Sequence, residues 1–155
     1  LCLCLERYKD HIFMQPWQTC TDPHFALRCK YPAVTPQGRH VIIHETERPG
    51  LLRAHLISQD SPEVYFEISR YSGLTASELY LIHRQELEQR FAGLAITALE
   101  PAELASRAAL EYAFAWEQGR RTAHLVETSR ALYRLLYNPD SPLNEQILST
   151  VEWLD

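Results

Sequence analysis

Arg107-Ala-Ala-Leu-Glu-Tyr-Ala-Phe-Ala-Trp-Glu-Gln-Gly-Arg-Arg-Thr-Ala-His-Leu-Val-Glu127 decides the fold. In its first half Ala108, Leu110, Tyr112, Phe114 and Trp116 alternate with Ala109, Glu111, Ala113, Ala115 and Glu117. A period of two gathers one set onto one face only in an extended strand. Gln118-Gly119 interrupts the alternation as a tight turn, and Arg120 to Glu127 returns as a second strand. Thr128-Ser129 turns again, and Ala131 to Tyr137 supplies the third strand of an antiparallel meander. Several positions opposite the main apolar row carry Ala, Val or Leu, so helices are expected over parts of both faces.

Working outward, Thr75-Ala76-Ser77-Glu78 is a capping box, in which Thr and the Glu three residues later satisfy the first free amides of a helix. The helix is expected to run to about Phe91, burying Leu79, Ile82, Leu87 and Phe91, with Gly93 near its stop. Leu94 to Leu99 reads as a strand, and Glu100 to Ser106 as either strand or irregular connection. Further upstream, Phe25 to Tyr31 alternates as a half-buried strand stopped by Pro32. His40 to Thr46 and Leu51 to Ile57 flank the turn Glu47-Arg48-Pro49-Gly50 as a hairpin, and Val64 to Ile68 reads as a fourth strand. Downstream, Ser141 is the expected N-cap and Pro142 the first residue of an amphipathic helix reaching Trp153 through Leu143, Ile147 and Val151. The fold class is α+β, a central antiparallel β-sheet flanked by helices.

The chain has 155 residues, 46% apolar and 23% charged, the composition of one globular domain able to build a core without disulfides or a structural metal. No linker or low-complexity run divides it, so residues 17–155 read as a single domain and residues 1–16 as an N-terminal extension or the remnant of a cut leader. A net charge of -5 argues against a nucleic-acid partner, and the apolar runs fall short of the roughly 20 residues that span a bilayer. Localisation is not legible. The four cysteines, Cys2, Cys4, Cys20 and Cys29, are confined to the first 29 residues and read as free thiols. Cys20 and Cys29 are spaced to lie on neighbouring strands, and Cys2-x-Cys4 lacks the second ligand pair of a zinc finger.

Reaction motifs are missing. The five glycines are isolated, so no phosphate-cradling loop can be written, and neither G-x-S-x-G nor H-E-x-x-H occurs. Ser61 and Ser141 each stand in Asp-Ser-Pro, where short polar side chains cap and turn the backbone. The chain therefore reads as a non-enzyme with no obligate cofactor. A divalent metal is the alternative, held by His40, His44 and His55 with Glu45 or Glu47. On one strand His40 and His44 face the same way roughly 13 Å apart, so an ion would need a further element, and a solvated sheet face explains the same histidines. Arg120, Arg121, Arg130 and Arg134 gather on the meander as a candidate partner-binding, anion-attracting patch, while Glu117 and Glu127 can simply pair with them. The row Tyr112, Phe114, Trp116 reads as core before it reads as a ligand pocket.

Phe25-Ala-Leu-Arg-Cys-Lys-Tyr-Pro32, Ala108-Ala-Leu-Glu-Tyr-Ala-Phe114 with its meander, and Leu132-Tyr-Arg-Leu-Leu-Tyr-Asn-Pro139 follow one another in this order. Together they resemble the PsbP-like family, which spans the photosystem II PsbP type and the Ran-binding Mog type. The closing Asn144-Glu-Gln-Ile-Leu-Ser-Thr-Val-Glu-Trp153 is similar to the family's last helix and tail. The resemblance implies an α/β/α sandwich and a protein that acts by binding a protein partner. A small-ligand or metal-binding domain and a small hydrolase stand as alternatives, the hydrolase requiring a nucleophile and a base to converge in a pocket.

Overall fold

The computed structural model describes residues 17–20, 25–35, 41, 43–48, 51–57 and 65–154. The proposed extension 1–16, with Cys2 and Cys4, lies outside the described residues, as do His40 and Ser61. The described elements are β1 (Gln18–Cys20), β2 (Leu27–Tyr31), β3 (Ile43–Arg48), β4 (Leu51–Ile57), β5 (Phe66–Tyr71), α1 (Ala76–Arg90), β6 (Ala95–Ile96), β7 (Glu100–Leu104), β8 (Arg107–Trp116), β9 (Gly119–Glu127), β10 (Leu132–Tyr137), α2 (Pro142–Ser149) and β11 (Glu152–Trp153). The class is α+β, with two antiparallel sheets. The larger runs β3-β4-β5-β10-β9-β8-β6, with β7 also on β8, and the smaller runs β1-β2-β11.

Alternate residues of the large sheet feed two separate cores. On one face Tyr112, Phe114, Ala123, Leu125, Leu132 and Leu136 meet Ala76, Leu79, Tyr80 and Leu87 of α1. On the other, Phe66, Ile68, Val126, Tyr133, Leu135 and Tyr137 meet Leu27 and Cys29 of the small sheet and Ile147 of α2. That second face is thus covered by strands as well as by a helix. Tyr133 ties the layers together, accepting the Ala26 amide on its hydroxyl at 3.0 Å and packing edge-on against Trp153. The β8 edge is closed in two pieces, β6 and β7, and between them the Ala113 amide donates to the Thr97 hydroxyl at 2.8 Å. The β7–β8 turn holds Ala105 and Ser106 at φ 49° and 65°, the left-handed pair of a two-residue hairpin.

Thr75 caps α1 as expected, its hydroxyl accepting the Glu78 amide at 3.2 Å, while Glu78 meets the Thr75 hydroxyl at 3.1 Å and the Ala76 amide donates to the Glu127 carboxylate on β9 at 2.6 Å. The helices differ from the sequence reading in detail, and Phe91, expected to be buried, is half-buried at the end of α1. The buried face of α1 contains His83 rather than Ile82, which is 42% exposed, because Leu79, His83 and Leu87 stack at intervals of four while Ile82 falls outside that stripe. The last helix stops at Ser149 instead of Trp153, and the Thr150 hydroxyl bonds the Ile147 carbonyl and the Lys30 backbone as the chain turns into β11. Pairing of Glu152 and Trp153 with Arg28 and Leu27 wins over helix continuation by completing the small sheet. Ser141 precedes Pro142 as expected but makes no side-chain cap bond.

Candidate functional site

Glu67, Ser69 and Arg134 come together because β5 and β10 are antiparallel neighbours with Ser69 opposite Arg134 and Glu67 opposite Leu136. Their positions alternate with Phe66, Ile68 and Leu135, so the polar set faces α1 while the apolar set faces the small sheet. The Glu67 carboxylate accepts from Ser69 Oγ at 2.9 Å, from Arg134 Nη2 at 3.1 Å and from the Tyr65 hydroxyl at 3.1 Å. Burial alone would raise its pKa, but the Arg134 charge and the three donors outweigh that and hold it below the ordinary carboxylate value. Arg134 is itself buried, its guanidinium over the Tyr71 ring at 5.6 Å.

From α1, His83 reaches the same layer and pairs through Nδ1 with the Tyr112 hydroxyl. Its ring stands edge-on to Tyr112 and Phe114. Burial, then the nearby Arg134 charge, push its pKa down to about 3, so the imidazole is neutral at neutral pH. Burial first raises the Tyr112 phenol to about 12, against the pull of Arg134, and the Tyr65 phenol likewise, with the Glu67 charge adding to it. Every one of these groups is stabilised in its resting protonation state, with Glu67 ionised and both phenols and the imidazole neutral. None of these pKa values is moved toward neutral pH, where a general acid or base works best.

The layer reaches the surface at the end of the sheet. There the Arg121 guanidinium lies 4.4 Å from the Tyr65 ring centre and 5.1 Å from that of Trp116, and Phe91, just past the end of α1, stacks on Trp116 at 4.8 Å. All four side chains are half-buried. The β8–β9 hairpin makes this possible: Phe114 is opposite Arg121 and Trp116 opposite Gly119, so the turn carries an arginine back beside the tryptophan. The ring of Trp116 packs against Gly119, where an added Cβ would stand 3.2 Å from it.

The four arginines read from the sequence separate. Arg121 and Arg134 share the α1 face, Arg134 beneath it in the Glu67 pair and Arg121 at its open end. Arg120, next to Arg121 in sequence, is exposed and donates from Nε to Asp140 at 2.7 Å. Arg130 is exposed in the β9–β10 turn, about 23 Å away along the length of β9. Of the histidine set, the backbone register pairs His44 with Leu56 and His55 with Glu45, so the two do not share a rung. Among the described residues no group of three or more His, Cys, Asp or Glu side chains is placed to hold a metal ion.

Sequence reading missed Glu67, Ser69, Tyr65 and His83. Glu67 and Arg134 are 67 positions apart and only register joins them. The one available signal for the strand residues is that Glu67 and Ser69 on β5, like Arg134 on β10, interrupt apolar strands at alternating positions, whereas His83 lies on α1 and carries no such signal. No family profile matches the chain, and no curated protein matches it significantly. No helix among the described residues is long and apolar enough to cross a membrane.

Proposed function

We propose that this chain is a non-enzymatic protein-interaction module of the PsbP-like type, contacting its partner through the row Tyr65, Arg121, Trp116 and Phe91. The observation that carries this reading is the composition and exposure of that row. Tyr, Trp and Arg are the residues that most often dominate binding energy at protein interfaces, and here they stand half-exposed, pre-stacked and already ordered. A partner that covers them has little side-chain entropy left to remove. The three donors to Glu67 and the Nδ1 pairing of His83 with Tyr112 support a binding role over an acid–base one. The finer α/β/α arrangement belongs to the same proposal: α1 over one face supports it, as does α2 over the other, beside the three-stranded sheet.

The test is affinity capture from the source organism followed by binary binding with the purified partner. Arg121→Glu is expected to weaken the complex at least tenfold, with Arg120→Glu, one residue away and exposed, as the matched control. Equal binding by both variants would discard the row as the contact surface. Turnover of a substrate that is lost on changing one compact polar cluster would discard the non-enzymatic reading.

A further inference from the structure

We propose that Cys20 and Cys29 are a redox pair that closes into an intrachain disulfide. The observation is independent of the aromatic row. β1 and β2 are antiparallel, and Cys20 stands directly opposite Cys29. Directly opposite residues of an antiparallel pair have Cα atoms about 4.5 or 5.5 Å apart, according to the kind of rung. Both values fall inside the roughly 4.4–6.8 Å range usual for the Cα atoms of a disulfide. The two side chains share one face of the small sheet, and both cysteines, neither in a disulfide, lie buried in the core shared with the large sheet.

A hydrogen bond with Cys20, then burial, then the Cys20 charge raise the Cys29 thiol well above its ordinary range. In the closed strand pair the reactive thiolate is therefore suppressed. Access comes through β1, a three-residue edge strand whose sheet partner is β2. Short edge elements with few contacts open locally at low free energy, and opening returns both thiols to water. Oxidation is thus gated by release of β1.

The oxidant is a low-molecular-weight disulfide such as glutathione disulfide. One cysteine thiolate attacks it, forming a mixed disulfide and expelling one glutathione thiolate. The second cysteine thiolate then attacks the protein sulfur of that mixed disulfide and expels the other. Two protein thiols lose two protons and two electrons, and the glutathione disulfide takes them up as two thiols. The product fixes β1 to β2 and holds the segment that enters the small sheet.

The experiment incubates the full chain with glutathione disulfide, blocks remaining thiols with iodoacetamide and digests with trypsin without reduction. Arg28 lies between the two cysteines, so cleavage there leaves two peptides joined only by the disulfide. The expected result is that linked pair, a mass lower by two hydrogens, and a Tm higher by about 5–10 °C that dithiothreitol reverses. Low urea, which releases β1, is expected to speed the reaction. In Cys20→Ser the Tm is expected not to respond to the oxidant. Alkylated Cys20 and Cys29 after full exposure, glutathione adducts that never resolve, or linkage to Cys2 or Cys4 instead would each overturn the proposal.

Discussion

Arg134 and Leu135 are neighbours on β10 and serve opposite faces of the same sheet, each buried by a different means. Leu135 enters a core of Phe66, Ile68, Val126 and Ile147, where apolar contact is the whole of its stabilisation. Arg134 enters the layer under α1 and is kept there by the Glu67 carboxylate and the Tyr71 ring. Apolar packing degrades gradually as volume is removed, whereas a buried ion pair fails when one member goes, because the other is left charged and unsolvated. The α1 face is therefore the more specified of the two and the more easily broken by a single change.

The largest expected effect follows from that contrast. Glu67→Ala, which strands the Arg134 guanidinium, should lower stability by about 3–5 kcal/mol in guanidinium unfolding. Glu67→Leu combined with Arg134→Met should recover most of the loss, since it removes both charges at similar volume. If the single and double changes cost the same, the layer is held by packing and the two faces do not differ in kind. On the apolar face Leu135→Ala should cost about 3 kcal/mol, with no partner substitution able to restore it short of refilling the volume.

Acid separates the faces further. His83 has its pKa depressed in the folded chain to about 3, against an ordinary value of 6.5, so the unfolded chain binds its proton first. Its contribution is complete above about pH 6.5 and drains away as pH falls from there toward 3, with a slope of about 1.4 kcal/mol per pH unit in the middle of that window. His124, on the opposite face with its ring stacked on Tyr137 and Nε2 3.2 Å from Glu111, is depressed in the same direction by burial, against the pull of Glu111. Both residues thus weaken the fold on acidification. Unfolding midpoints at pH 7, 6 and 5 should flatten most in His83→Gln and less in His124→Gln, where the carboxylate favours the proton. A profile unchanged by His83→Gln would show that the layer under α1 already takes up that proton.

The smallest effect is expected outside both layers. Arg120→Ala removes an exposed pair with Asp140 and should leave the unfolding midpoint where it is, while Arg121→Ala, one residue on, loses contact with two rings and should shift it. Equal shifts would mean that the aromatic row does not order Arg121.

Much of this was legible in the chain. The alternation from Ala108 to Trp116 and the returns at Gly119 and Leu132 state a meander, and Thr75 with Glu78 states where α1 begins. Local chemistry carried that far because turns, caps and a period of two are set by residues adjacent in sequence. Ile82 and the end of α2 were misread for the complementary reason: an apolar residue at helical spacing does not reveal which stripe meets the sheet, and Val151-Glu-Trp153 continues a helix pattern until β2 offers a better partner.

By itself the sequence determined the class of fold, the meander, the starts of the two helices and the absence of familiar reaction motifs, whereas β1 and β11 were not read as strands. Only the tertiary structure decided that Glu67 meets Arg134, that Cys20 faces Cys29 and that Arg121 is caught between Tyr65 and Trp116. The physical reason is register. A strand's own alternation fixes which residues share a face, but the rung on which two distant strands meet is set by the packing of the whole sheet, and a slip of one residue would exchange the polar layer for the apolar one.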